Sequence, residues 1–306
     1  MASRAAHSAR AYRARETRGV GILSELLHIP RKTTAIIGSG GKSTLLRALA
    51  EELATEGAAS TGFAAVKIAA DKPQAGKTPS EGCPTEEAAG DNPSAGGGEP
   101  SSRRPATKGA ATAGAGRRAR VIVATSTKMF VPDWCPVLFD ATMDEVRLAL
   151  STHPIVCVGR IHEPTGKLES PNMAFSELKG AADYLLVEAD GAKMLSLKAH
   201  AEHEPVIPEC AKRTVCVVGI DGVGRPISQA CHRAERFARL AGVSTADATT
   251  PEMVARVLEA ESLHDTIFIN KVESDNDWRI AERIAALCTT PVVAGSLRRK
   301  EFRCLR

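Results

Sequence analysis

The chain has 306 residues, 43% of them hydrophobic, enough for one large or two modest domains with a true core. Five arginines and one glutamate give residues 1–20 a net charge of +4, the value for the whole chain, so the remainder sets 35 basic against 35 acidic side chains. That balance excludes the basic excess of a dedicated nucleic-acid binder, and no apolar run reaches the roughly 18 residues that indicate a membrane span.

Residues 1–20, with Arg4, Arg10, Arg13, Arg15 and Arg18 against Glu16, read as a flexible basic arm ahead of a single domain over 21–306. An apolar strand is expected over 33–37, a helix over 43–56 and a further strand over 63–68. Residues 71–120 contain no Val, Ile, Leu, Met, Phe, Trp or Tyr but nine glycines and six prolines, so they read as a disordered low-complexity insertion that interrupts the domain.

Beyond it, β-branched runs over 121–124, 155–158, 184–187, 214–218, 266–269 and 292–294 alternate with helical patterns over 143–151, 176–182, 232–240, 251–260 and 277–287. Near-continuous apolar strands suit a sheet buried on both faces. The fold expected is α/β, a doubly wound, mostly parallel sheet of P-loop NTPase type with helices on both faces. Eight cysteines without a C-x-x-C pair indicate neither a zinc ribbon nor a disulfide framework, and a reducing cytoplasm is the expected compartment.

The first strand runs into Gly38, Ser39, Gly40, Gly41, Lys42, Ser43 and Thr44 and then an amphipathic helix, the context a phosphate-binding loop requires. Glycines let backbone N–H groups turn toward phosphate oxygens, Lys42 would reach the β- and γ-phosphates of GTP or ATP, and the Ser43 hydroxyl would ligate Mg²⁺. The sequence departs from G-x-x-x-x-G-K-[ST] in placing Ile36 at the first glycine position, so a tighter loop is expected. The apolar run 184–187 delivers Glu188 and Asp190 two residues apart. With Ser43 they are the expected Mg²⁺ ligands, and with Lys42 the expected catalytic set. Asn270, Lys271, Val272 and Glu273 resemble the N-K-x-D motif, whose acid reads guanine, although Glu here replaces Asp.

Thr127 and Lys128 end the strand after the insertion, where they would touch the γ-phosphate or its metal, or simply cap the strand. His200, His203 and Glu204 sit in a dense polar run that reads either as a metal or anion site or as an exposed loop. Arg225, His232 and Arg233 are candidates to meet an anionic substrate.

Together, the Gly38–Thr44 loop, Thr125–Met129, Leu186–Lys193, Lys198–Pro208 and Asn270–Glu273 resemble the selenium-dependent hydroxylase accessory proteins over nearly all of the chain outside the arm and the insertion. The resemblance implies a role in maturing or inserting the selenium-containing molybdenum cofactor of a client selenium-dependent molybdenum hydroxylase. The loops bearing Thr127, Lys128, His200, His203 and Glu204 would then face the client or its cofactor. The leading expectation is an accessory protein that binds and hydrolyses GTP or ATP. An ATP-dependent ligase with a Mur-like loop, a small-molecule kinase, and a non-enzymatic nucleotide-binding scaffold or metallochaperone are the alternatives.

Overall fold

A computed structural model describes residues 22–55 and 118–306. The expected arm, the strand over 63–68 and nearly all of the insertion lie outside the described residues. Only the last three positions of the insertion fall inside. There Ala119 is buried, Arg120 N donates to Asp183 Oδ2 at 2.8 Å, and the Arg120 carbonyl accepts from Asp183 N and Tyr184 N. The ordered chain therefore resumes ahead of the strand at 121, because its backbone is hydrogen-bonded to the start of another.

The first stretch holds α1 (Leu23–Leu26), β1 (Thr33–Gly38) and α2 (Lys42–Ala54). Next come β2 (Val121–Thr125), β3 (Lys128–Met129), β4 (Val137–Phe139), α3 (Met143–Thr152), β5 (Ile155–His162), β6 (Lys167–Glu169), α4 (Phe175–Ala181), β7 (Tyr184–Glu188) and β8 (Leu197–Lys198). The chain continues through β9 (Ala211–Gly219), α5 (Ile227–Ala230), β10 (Cys231–His232), α6 (Ala234–Ala241), α7 (Pro251–Glu261), β11 (Thr266–Asn270), α8 (Asp275–Leu287), β12 (Val292–Ser296) and β13 (Glu301–Cys304).

The sheet runs β13-β12-β11-β9-β1-β7-β2-β5-β6-β3, with β4 also on β5. Neighbours from β12 to β5 are parallel, whereas β13, β6 and β3 add antiparallel edges, so the sheet is mixed and mostly parallel. Every residue of β1, β2, β7, β11 and β12 is buried, which is why their sequences are apolar without alternation. Ile36, Val123, Leu186, Val217 and Phe268 pack with α1 and α2 on one face. The opposite face carries Ile37, Val218 and Ile269 against α6, α7 and α8, and Ile122, Leu185 and Val187 against α3 and α4.

The helix expected from 232 begins instead at Ala234, because Cys231 and His232 pair as a strand with Leu197 and Lys198 and Arg233 turns left-handed at φ 62°. Its neighbours start on sequence-readable caps. Thr250 accepts from Met253 N ahead of Pro251, and Ser274 and Asp277 form a capping box for α8. Among the described residues no helix is long and apolar enough to cross a membrane.

Candidate phosphate-binding site

β1 extends through Gly38 and α2 begins at Lys42, which leaves only Ser39, Gly40 and Gly41 between them. Ile36 at the missing glycine position is therefore a buried strand residue, and the tight loop expected from sequence is a three-residue turn. Gly40 has φ 88°, and a Cβ there would lie 2.3 Å from Gly219 N. At Gly41, with φ 129°, a Cβ would lie 2.4 Å from Asn270 Nδ2. Both glycines are thus fixed by backbone conformation and by close approach at once. No side chain caps α2, so its positive end is open next to Lys42, Ser43 and Thr44, the last two exposed.

Lys42 Nζ donates to Gly38 O at 2.8 Å and lies 3.1 Å from Asp190 Oδ1 and 3.9 Å from Glu188 Oε1. Ser43 Oγ donates to Glu188 Oε2 at 2.8 Å. The two acids expected to share a metal separate into different surroundings. Glu188 faces Ser43, and burial pushes its pKa up against the opposing pull of Lys42 and Ser43. Asp190 is fully buried, accepts from Gly38 N at 2.9 Å, and has Lys198 Nζ at 3.0 Å and His200 Nε2 at 2.8 Å from Oδ2. Burial alone would raise its pKa, but the His200 bond and the charges of Lys42 and Lys198 outweigh burial and hold it below the usual carboxylate range. Asp190 thereby braces the loop through Oδ2, while its Oδ1 faces only the Lys42 ammonium. Ser43 and Glu188 are the hard-oxygen pair that suits Mg²⁺, which takes one or two protein ligands and fills the rest with phosphate and water.

Behind Asp190 the charges continue inward. His200 Nδ1 lies 2.7 Å from Glu261 Oε2, and His200 N donates to Glu261 Oε1 at 2.6 Å. Burial lowers the His200 pKa, yet its bonds to Asp190 and Glu261 prevail and raise it. Lys198 also pairs with Glu204 at 3.0 Å, and Arg233 Nη2 lies 2.9 Å from the other Glu204 oxygen. Burial raises the Glu204 pKa, but the hydrogen bonds from Arg233 and Lys198 dominate and bring it to about 2. His200 and Glu204 of the polar run are both engaged in these ion pairs, and His200 is buried rather than in an exposed loop. His203 is exposed, and among the described residues no group of three or more His, Cys, Asp and Glu is placed to hold a metal ion. Lys198 and Glu261 are the members that the sequence did not disclose. Glu261 ends α7, 61 residues from His200, and no motif spacing signals such a contact.

Asn270 ties the far end of the chain to the loop, with Nδ2 donating to Gly40 O at 2.9 Å and Oδ1 accepting from Leu297 N at 3.3 Å. Lys271, left-handed at φ 67°, reaches Asp221 Oδ2 at 2.8 Å. Glu273 accepts from Ser296 Oγ at 2.9 Å and is gripped by the Arg298 guanidinium, with Nε 3.1 Å away. It borders a cleft of about 420 Å³ that also touches Trp278, Arg279, Arg299 and Arg303.

Thr125 Oγ1 and Ser126 N both donate to Glu188 O, at 2.9 and 3.0 Å, and Thr127 N donates to Thr125 Oγ1 at 3.1 Å. Thr127 thus stands beside the strand end that carries Glu188. Lys128 Nζ instead reaches His162 Nε2 at 2.7 Å, on the β5–β6 hairpin. Ser39 Oγ donates to Leu195 O. Arg225 is exposed, and its backbone pairs with Thr249. His232 and Arg233 join Lys198 and Glu204 across the β8–β10 ribbon.

A family model described as YqeC protein matches residues 108–235. The Uncharacterized protein YqeC of Escherichia coli (strain K12) is 34% identical over 137 residues, 42% of this chain and 53% of that protein. The chain thus spans about half the length of the curated relative it matches. The family match includes Thr127, Lys128, Glu188, Asp190, His200, Glu204 and Arg233, while Gly38–Thr44 and Asn270–Glu273 lie outside it. No solved structure matches.

Proposed function

We propose that the chain is a P-loop-type nucleotide-binding protein that hydrolyses GTP or ATP with Mg²⁺, acting as an accessory protein to a selenium-dependent molybdenum hydroxylase. The observation that carries the nucleotide reading is the placement of Lys42 and Ser43, at the open and glycine-framed start of α2, against Glu188 at the end of the adjacent strand β7. Phosphoryl transfer needs positioned charge more than covalent chemistry, and these groups provide it. Lys42 would exchange Asp190 and the Gly38 carbonyl for phosphate oxygens, while Asp190 keeps its hold on the Gly38 amide and so keeps the loop in shape. Ser43 and Glu188 would hold Mg²⁺, which when bound neutralises charge on the β- and γ-phosphates. Asn270, bonded to Gly40, would align the nucleotide base end with the loop, and Glu273 would favour guanine by accepting from its N–H groups. The client role rests on the resemblance of the loop segments, and Thr127, Lys128 and His203 are its candidate contacts.

Release of γ-phosphate from Mg-GTP and Mg-ATP tests hydrolysis, measured alone and with a selenium-dependent molybdenum hydroxylase present. Glu188→Gln is expected to bind nucleotide yet lose about 10²-fold or more in turnover. Binding without phosphate release by the unmodified protein, in both conditions, would replace hydrolysis with the scaffold reading.

A further inference from the structure

Beside the phosphate loop lies a group of cations that nucleotide binding does not use. β8 and β10 form a two-stranded parallel ribbon with Lys198 opposite His232. Arg233 follows at φ 62°, while Lys193 and Met194, in the loop before β8, have φ 46° and 60°. Left-handed backbone at such residues is costly and gathers at functional sites. The ribbon abuts the loop directly. Ser39 Oγ donates to Leu195 O, Gly219 N donates to Ser196 O at 2.9 Å, and Lys198 lies 3.0 Å from the Asp190 oxygen that accepts from Gly38 N.

The charges of this ribbon are unequally matched. The buried Lys198 ammonium is used up by Asp190, Glu204 and Gly191 O. Arg233 grips the same Glu204 with both Nε, at 3.1 Å, and Nη2, at 2.9 Å, so two cations share one carboxylate. Lys193 adds a third, exposed cation. His232 lies among them, and burial followed by the charges of Lys198 and Arg233 lowers its pKa. Glu204 is thus a stand-in for a second anion, held by an arginine fork whose geometry fits a carboxylate or phosphate edge.

We propose that Lys193, His232 and Arg233 form a binding site for the phosphate group of a second, small-molecule substrate next to the nucleotide, with Glu204 as its internal placeholder. Lys193 belongs to the loop before β8 and His232 and Arg233 to β10 and the residue after it, so a phosphate there would be met from two chain segments. On binding, Arg233 passes from Glu204 to the phosphate while Glu204 stays on Lys198, so no buried charge is left unpaired. This inference rests on the proposed nucleotide site and extends it with a second anion position beside it.

Calorimetric titration of the full chain with inorganic phosphate tests the site, with and without a saturating non-hydrolysable Mg-nucleotide. The expected result is phosphate binding that survives nucleotide and survives Lys42→Ala, but weakens at least tenfold in Lys193→Glu and in Arg233→Lys, with thermal melts confirming that each variant is folded. Lys193→Glu changes an exposed side chain and keeps the test decisive if the Arg233 variant misfolds. Phosphate binding that is abolished by nucleotide or by Lys42→Ala, or is indifferent to Lys193→Glu, would place phosphate in the P-loop alone and overturn the proposal. If the unmodified protein fails to bind nucleotide, the nucleotide reading falls by itself, and the phosphate titrations of Lys42→Ala and Lys193→Glu still decide the second site.

Discussion

Gly40 is held between two backbones. Its φ of 88° suits glycine, and a methyl group would meet Gly219 N at 2.3 Å, where no flexible side chain can give way. Gly40→Ala is expected to cost about 2 kcal/mol or more in chemical denaturation and to weaken nucleotide binding with it. A variant of unchanged stability would show that the loop relaxes freely. Asp190 shows the limit of residue-scale reading. The sequence places it two positions after Glu188 at a strand end, and from that spacing both acids look alike. The difference comes from Lys198, His200 and the Gly38 amide closing around Asp190, a matter of packing between distant segments that spacing does not record.

At the scale of elements, Asp190 and His200 couple the end of β7 to the end of α7 through Glu261. Their pKa shifts set a pH window. Asp190 is lowered on folding, so its contribution is present above its unfolded value near 3.9 and is lost as pH falls through the folded one. His200 is raised, so its contribution is complete below the unfolded value of about 6.5 and is lost as pH rises through the folded one. The pair therefore contributes most between about pH 4 and 6.5. His232 and His264 are lowered, chiefly by burial, and have the opposite sign, so the informative quantity is a difference between proteins. Urea unfolding from pH 5 to 9 should show a stability gap between the unmodified protein and His200→Gln that is widest at acidic pH and narrows as pH rises. A gap independent of pH would mean that folding leaves the His200 pKa unshifted, and a gap that widens as pH rises would mean that His200 is held neutral in the folded protein. The elements were largely legible. Each strand expected in the described residues is present, and Thr250-Pro251 and Ser274 mark helix starts by recognisable caps. The start of α6 was not legible, because the pairing of His232 with Lys198 depends on tertiary contact, and neither do two-residue strands such as β8 leave a periodic signal.

At the scale of the whole molecule, the candidate site joins segments far apart in the chain. Asn270 reaches Gly40 across 230 positions, while Glu188 and Asp190 come from the middle. The span matched by the family model supplies the central acids and the basic ribbon, and the flanking segments supply the Gly38–Thr44 loop and the candidate base contacts. Sequence order makes the loop and the strands visible separately, and the parallel order β9-β1-β7 brings them to one edge, as open α/β sheets do with their ligand-binding loops. The proposed function places a nucleotide's phosphates at Lys42. Calorimetric titration of the full chain with Mg-GTP and Mg-ATP, beside Lys42→Ala and Glu273→Ala, tests it most directly. Saturable binding that Lys42→Ala weakens by about 10²-fold or more is expected, with a GTP preference that Glu273→Ala reduces. Nucleotide binding of equal strength in the unmodified protein and in Lys42→Ala, or no binding of either nucleotide, would contradict it.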